Sequence, residues 1–215
     1  MLAIPGYQIT QQLHSGTKTA VYRGYCLQDQ RPVIIKTLIL DYPLLKDLGR
    51  LQYEYKLTKD WEEEGLIRSY ALVPHQNSQA LILQDIGGTT LKKLVADHRL
   101  ALGEFLTLAL AFAKSLGRVH QHHLIHKDIN PTNLVVNPDT GKVQIIDFGI
   151  SSQLLRESTK IQNPGHLEGT LAYISPEQTG RMNRAVDYRT DFYSLGATFY
   201  EMLTGQPPFG TTDPT

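Results

Sequence analysis

One cysteine, one tryptophan and three methionines are all that 215 residues hold of those types. A single cysteine, Cys26, cannot form an internal disulfide, so the fold must close on packing and hydrogen bonds, as expected in a reducing compartment. An excess of charge of either sign is missing too: Lys+Arg 21 stand against Asp+Glu 21, a formal net charge of zero. Nothing in that balance points to the broad positive field of a nonspecific nucleic-acid binder or to the polybasic stretch of a membrane-surface anchor. Long hydrophobic runs are absent. The most apolar stretch, FLTLALAFAKSL from Phe105, is interrupted by Lys114 and is too short to cross a bilayer. The opening MLAIPGY lacks the basic and apolar regions of a signal peptide. The expectation is a cytoplasmic protein with neither nucleic acid nor membrane as partner. What is present, 41% hydrophobic and 20% charged residues, suffices to bury a substantial core in one or two lobes.

Strand-like runs dominate the first third. YQITQQL, TAVYRGYC and PVIIKTLI are rich in β-branched and aromatic residues and bounded by Gly, Pro, Asp or Ser, which predicts an antiparallel meander. A helix follows over about Leu44 to Trp61, with Leu44, Leu48, Leu51 and Tyr55 at helical spacing and Glu54 and Leu57 on the same broad face. IRSYALV and ALILQDIGG then complete a five-stranded sheet. Beyond Gly87 and Gly88 the composition shifts to Leu and Ala: LKKLVADH predicts a short helix, and Gly103 to His122 a long one. Its expected buried stripe is Leu106, Ala109, Leu110, Ala113, Leu116 and His120. His120, His122, His123 and His126 come without a cysteine or an HExxH glutamate, so they are not read as a metal site. TDFYSLGATFYEMLTG predicts a last helix, capped by Thr190 and stopped by Gly205.

The chemistry concentrates in LIHKDINPTNLVVNPDTGKVQIIDFG, residues 124 to 149. LVV and VQII read as two strands and NPDTG as the turn between them, so Asn133 before the first strand and Asp147 after the second meet at one end of a hairpin. Two hard oxygen ligands side by side suit Mg²⁺, which keeps waters and adds phosphate oxygens. Asp128, one loop earlier, is placed to accept a proton from a hydroxyl brought there. Lys36 follows three β-branched residues, so its ammonium extends from an apolar wall and demands a charged partner, for which Glu54 is the expected choice.

HKDINPTN followed by DFG resembles the catalytic and metal-binding segments of the eukaryotic-type protein kinases, and GTLAYISPE resembles the motif that closes their activation loop. The resemblance implies an α+β, protein-kinase-like two-lobe fold: a small antiparallel five-stranded N-lobe over residues 1–86 and a mainly helical, truncated C-lobe over 87–215. It implies ATP and Mg²⁺ as cofactors and a protein serine or threonine as acceptor. Asp128 would orient and deprotonate the hydroxyl, Asn133 and Asp147 would hold Mg²⁺, and Lys36, fixed by Glu54, would steady the α and β phosphates. Gly16 and Val21 would belong to the loop and strand covering the nucleotide, backbone groups around Gln84 to Ile86 would meet adenine, and Leu83 would be the gatekeeper. His126 and Asp191 would support the catalytic loop. The stretch from Phe148 to about Thr170, with Ser151, Ser152, Ser158, Thr159 and Thr170, corresponds to the activation loop.

Departures from the pattern are informative. Only Gly16 remains of the glycine-rich loop, with His14 and Thr19 at the other glycine positions. Asn130 replaces the lysine expected two residues after Asp128, which could cost a few kcal/mol of transition-state stabilisation. Lys127 replaces an arginine, and Glu177 is expected to lack the arginine that pairs with it in the family. The wording HKDINPTN, GTLAYISPEQTGRMNRAVDYRTDFYSLG and LTGQPPF is similar to the N-terminal kinase modules of large bacterial, especially cyanobacterial, sensor proteins, so downstream sensor domains in a longer chain are expected partners. Two other readings stay open: a nucleotide-binding pseudokinase acting as a regulatory module, and a small-molecule phosphotransferase.

Overall fold

Alternation of β-branched with polar residues builds the first part of the protein. In the computed structural model, which describes residues 3–40, 42–97, 99–153, 169–180 and 184–210, the strands β1 (Tyr7–Ser15), β2 (Thr19–Cys26) and β3 (Pro32–Leu38) form a meander. The helix α1 (Leu45–Thr58) follows, then β4 (Ser69–His75) and β5 (Ser78–Gln84), giving one antiparallel sheet in the order β1-β2-β3-β5-β4. Val33, Ile35, Ala80 and Ile82 bury one face of it together with Ile4. Because side chains alternate along a strand, Lys36 leaves from the other face, opposite Val21 on β2 and Leu81 on β5.

Helix α1 corrects the expected leucine stripe. Its buried residues are Asp47, Leu51, Glu54 and Thr58, whereas Leu44 and Leu45 are 62% and 87% exposed. The inner face is mostly polar because lysines and a serine of the sheet's strands and turns meet it, Lys18 at Asp47, Lys36 at Glu54 and Ser69 at Thr58.

The structure divides into two units, Met1–Glu62 with Ile67–Gly87, and Glu63–Leu66 with Gly88–Thr215. Glu63–Leu66 go with the second unit because Gly65 accepts the Ile145 N–H and Gln144 donates to the Leu66 carbonyl. The second unit contains β6 (Thr89–Thr90), α2 (Leu91–Asp97), α3 (Leu102–Gln121), β7 (Leu124–Ile125), β8 (Leu134–Val136), β9 (Val143–Ile145), β10 (Ser152–Gln153) and α4 (Arg189–Thr204). Short 3-10 turns at Leu171–Tyr173 and Pro176–Thr179 precede α4.

The long helix α3 buries Phe105, Leu108, Phe112, Ser115, Leu116 and Val119, so the expected stripe is rotated: Leu106 and Leu110 are 56% and 58% exposed. The Phe105 ring meets Phe199 of α4 edge-on at 5.8 Å. In α4, Gly205 takes the left-handed conformation that ends the helix, as expected, but Thr190 is not its cap. Thr190 lies inside the first turn, fully buried, and its hydroxyl donates to Glu177 at 2.9 Å. Among the described residues, no helix is long and apolar enough to cross a membrane.

Candidate active site

The loop before β8 is built on one carboxylate. Asp191, fully buried in the first turn of α4, accepts the backbone N–H of His126 and of Lys127, each at 2.8 Å, and a hydrogen bond from His120 Nε2 at 2.9 Å. A buried charge survives only with such donors, and these three also fix the loop's backbone. Lys127 needs that help, since its φ of 69 is a left-handed conformation unfavourable for a long side chain. Gln178 Nε2 adds a bond to the Lys127 carbonyl at 2.9 Å.

His126 is fully buried against Phe148, ring centroids 4.7 Å apart. Its Nδ1 accepts from the Asp128 N–H at 3.2 Å, so its Nε2 carries the proton and donates to the Ile146 carbonyl at 3.0 Å. The four histidines that crowd the sequence therefore have separate tasks: His120 serves Asp191, His122 faces Glu63, and His126 ties the loop to the hairpin. His123 occupies a left-handed turn, with φ 56.

Asp128 is thereby presented at a fixed angle. Its Oδ1 accepts from Thr170 N at 2.9 Å, Thr170 Oγ1 at 2.8 Å and Asn130 Nδ2 at 3.1 Å, while Oδ2 accepts only Asn133 Nδ2, at 2.9 Å, among the described residues. One oxygen is saturated and anchors the group; the other keeps acceptor capacity for an incoming hydroxyl. Gly169, with φ 114, leads the chain into Thr170, and a Cβ there would sit 3.1 Å from the Lys127 carbonyl.

Asn133 and Asp147 stand at one end of the β8–β9 hairpin, whose register pairs Leu134 with Ile145. The Ile146 N–H donates to the Asn133 carbonyl at 3.0 Å, placing Asp147 one residue beyond that bond. The hairpin turn is closed by Asn137, whose side chain accepts the N–H groups of Asp139 and Thr140. Both Nδ2 bonds of Asn133 go to Asp128, to its carbonyl and to Oδ2, so the amide turns its oxygen away from that carboxylate. An amide oxygen and a carboxylate are the hard donors that Mg²⁺ accepts alongside water and phosphate oxygens, and these residues fit it.

In the first unit, Lys36 Nζ lies 2.7 Å from Glu54 Oε2, with 12% and 2% of the two side chains exposed. Removing one partner of so buried a pair costs on the order of 3–5 kcal/mol. Gly16 starts the turn between β1 and β2, its N–H donating to the Thr19 carbonyl at 2.9 Å, and Val21 is half-buried opposite Lys36. Leu83 is buried. Gln84 commits its N–H to the Arg68 carbonyl at 2.9 Å, which removes that group from any part in holding a base. Ile86 follows Asp85, a residue that sequence reasoning passed over: its carboxylate accepts from Arg23 Nε at 2.6 Å and from the Gly87 N–H at 2.7 Å. Ser158 and Thr159 lie outside the described residues, Ser151 is buried, and Ser152 pairs with Ile125.

Comparison with known proteins decides the family. The protein kinase domain matches residues 7–215. The chain belongs to that family. It is similar to the serine/threonine-protein kinase PknB of Mycobacterium leprae, 34% identical over 211 residues, covering 94% of this chain and 33% of that protein. Likewise, it is 30% identical over 205 residues to the serine/threonine-protein kinase PknL of Mycobacterium tuberculosis, covering 94% of this chain and 50% of that protein. To the serine/threonine-protein kinase PrkC of Bacillus subtilis it is 28% identical over 205 residues, covering 94% and 31%. The chain thus spans 31% to 50% of the length of these relatives. Protein kinase domains use ATP and Mg²⁺.

Two residues set apart in the sequence are placed by the structure. Glu177 accepts the Thr190 hydroxyl at 2.9 Å. Asn130, 1% exposed, donates through Nδ2 to Asp128 and, at 3.1 Å, to Thr170 Oγ1, and its Oδ1 accepts the Thr132 N–H at 2.8 Å. No spacing rule would have found that role, since Thr170 is forty positions away in the chain.

Proposed function

We propose that this protein kinase domain transfers the γ-phosphoryl group of ATP to a serine or threonine hydroxyl of a protein. The observation that carries the reading is Asp128, held by the Asp191-braced loop with one oxygen saturated and the other able to accept. There it would receive the acceptor's O–H and take its proton as the new P–O bond forms. Lys36, oriented by Glu54, would steady the α and β phosphates, and Asn133 and Asp147 would hold Mg²⁺. The ion, when bound, would offset charge on the phosphate oxygens. Thr170 supports a serine or threonine acceptor, because its anchorage on Asp128 and Asn130 places the GTLAYISPE segment beside the acid. The reading extends to a signalling role in the cytoplasm with sensor modules in the same polypeptide, supported by the likeness of that segment to sensor-protein kinase modules.

Phosphate transfer from Mg²⁺-ATP to a generic protein acceptor, measured with full-length protein, tests it. Wild type should label the acceptor, and Asp128→Asn or Asp147→Ala should each lower the rate by roughly 10²-fold or more. Nucleotide binding without transfer would favour a regulatory pseudokinase. Labelling of an aminoglycoside or choline but of no protein would favour a small-molecule enzyme.

A further inference from the structure

Helix α1 carries a second ion pair that no family motif assigns. Lys18, in the turn between β1 and β2, places Nζ 3.1 Å from Asp47 Oδ1; the aspartate side chain is 7% exposed and the lysine 55%. Asp47 and Glu54 are seven positions apart on the buried stripe of α1, about 10.5 Å along a helix axis. On the sheet, Lys36 lies on β3, and the Lys18 carbonyl accepts the N–H of Ile39, three residues beyond Lys36 and about 10 Å along a strand. Helix and strand spacings agree, so both pairs can close at once without bending either element. The turn's single glycine, Gly16, is not in a left-handed conformation, and among the described residues the turn's backbone is held by the Gly16 N–H to Thr19 carbonyl bond across it and by the Lys18 carbonyl's bond to Ile39.

We propose that Lys18 and Asp47 are positioning residues which tether the β1–β2 turn to α1, so that the turn and the Lys36–Glu54 pair are registered on the same helix before nucleotide arrives. A loop with few glycines would then be preset by charge where other loops adapt by backbone freedom. This rests on the proposed function for its link to nucleotide, but the tether can be read in the nucleotide-free protein.

The test compares wild type with Asp47→Asn, Asp47→Glu and Lys18→Met in the full chain. Hydrogen exchange at the Gly16 and Ile39 amides without nucleotide should quicken about threefold to fivefold in Asp47→Asn and Lys18→Met, the reach of an ion pair with one exposed partner, and return towards wild type in Asp47→Glu. The KM for Mg²⁺-ATP should rise by a similar factor with kcat unchanged, and added salt should shrink the difference. Unchanged exchange overturns the tether. Lower thermal stability with unaltered exchange and KM marks a merely structural pair and also overturns it. A lower KM in Asp47→Asn overturns it in another way, by showing Lys18 to be a phosphate ligand that Asp47 withholds. If wild type binds no Mg²⁺-ATP, the proposed function fails and the exchange data alone judge the tether.

Discussion

Asn130 shows how much one side chain can alter an active site. A lysine could supply donors to Asp128 and Thr170, but it could not accept the Thr132 N–H, and its ammonium would have to enter a site only 1% exposed. Asn130→Lys should therefore lower kcat by about tenfold or more and leave the KM for Mg²⁺-ATP less affected, measured under steady state. A raised kcat would show that the missing cation limits the rate. The hairpin with Asn133 and Asp147 at one end and the pairing of Lys36 with Glu54 were legible because strand runs, turn residues and motif spacing are local. Asp191 was legible for the same reason, while His120, its third donor, was read as part of a helix stripe and set aside as a metal ligand, with no sign of this bond. Partners supplied by distant chain segments leave no local signal.

At the scale of elements, position and type were readable and orientation was not. Helix α3 has apolar residues all round, Leu102, Leu106 and Leu110 on one side and Phe105, Leu108 and Phe112 on another. Periodicity alone therefore allows two burial faces, and the aromatic contact with Phe199 accompanies the observed one. Phe112→Ala should cost about 3–5 kcal/mol of stability and Leu106→Ser less than about 0.5 kcal/mol, measured by denaturant unfolding. Equal losses would restore the stripe expected from sequence. Helix α1 errs in the opposite direction. Glu54 is read from the sequence as the partner of Lys36, but the equally buried Asp47 gives no such signal until Lys18 is brought to it.

For the whole molecule, a buried acid–phenol pair links stability to pH. The Tyr173 hydroxyl donates to Glu201, which also pairs with Lys92 at 2.7 Å, and burial first, then the hydrogen bond to Glu201, raises the phenol well above its ordinary range. A folded-state value above the unfolded one means that the contribution is fully present below about pH 10, the usual tyrosine value, and is lost as pH rises through the folded one. The stability gap between wild type and Tyr173→Phe should thus be constant near neutrality and narrow above about pH 10, followed by chemical denaturation. A gap that widens there would reverse the sign and sink the assignment. The sequence by itself determined the order of strands and helices, the hairpin with Asn133 and Asp147 at one end, and the family, because strand period, turn residues and motif spacing are local properties of the chain. Only the tertiary structure decided which face of α1 and α3 is buried, where Thr190 and Asn130 spend their hydrogen bonds, and which oxygen of Asp128 stays open. Those depend on residues far apart in sequence that meet only after folding, when a buried polar group must find its partner or forfeit its hydration.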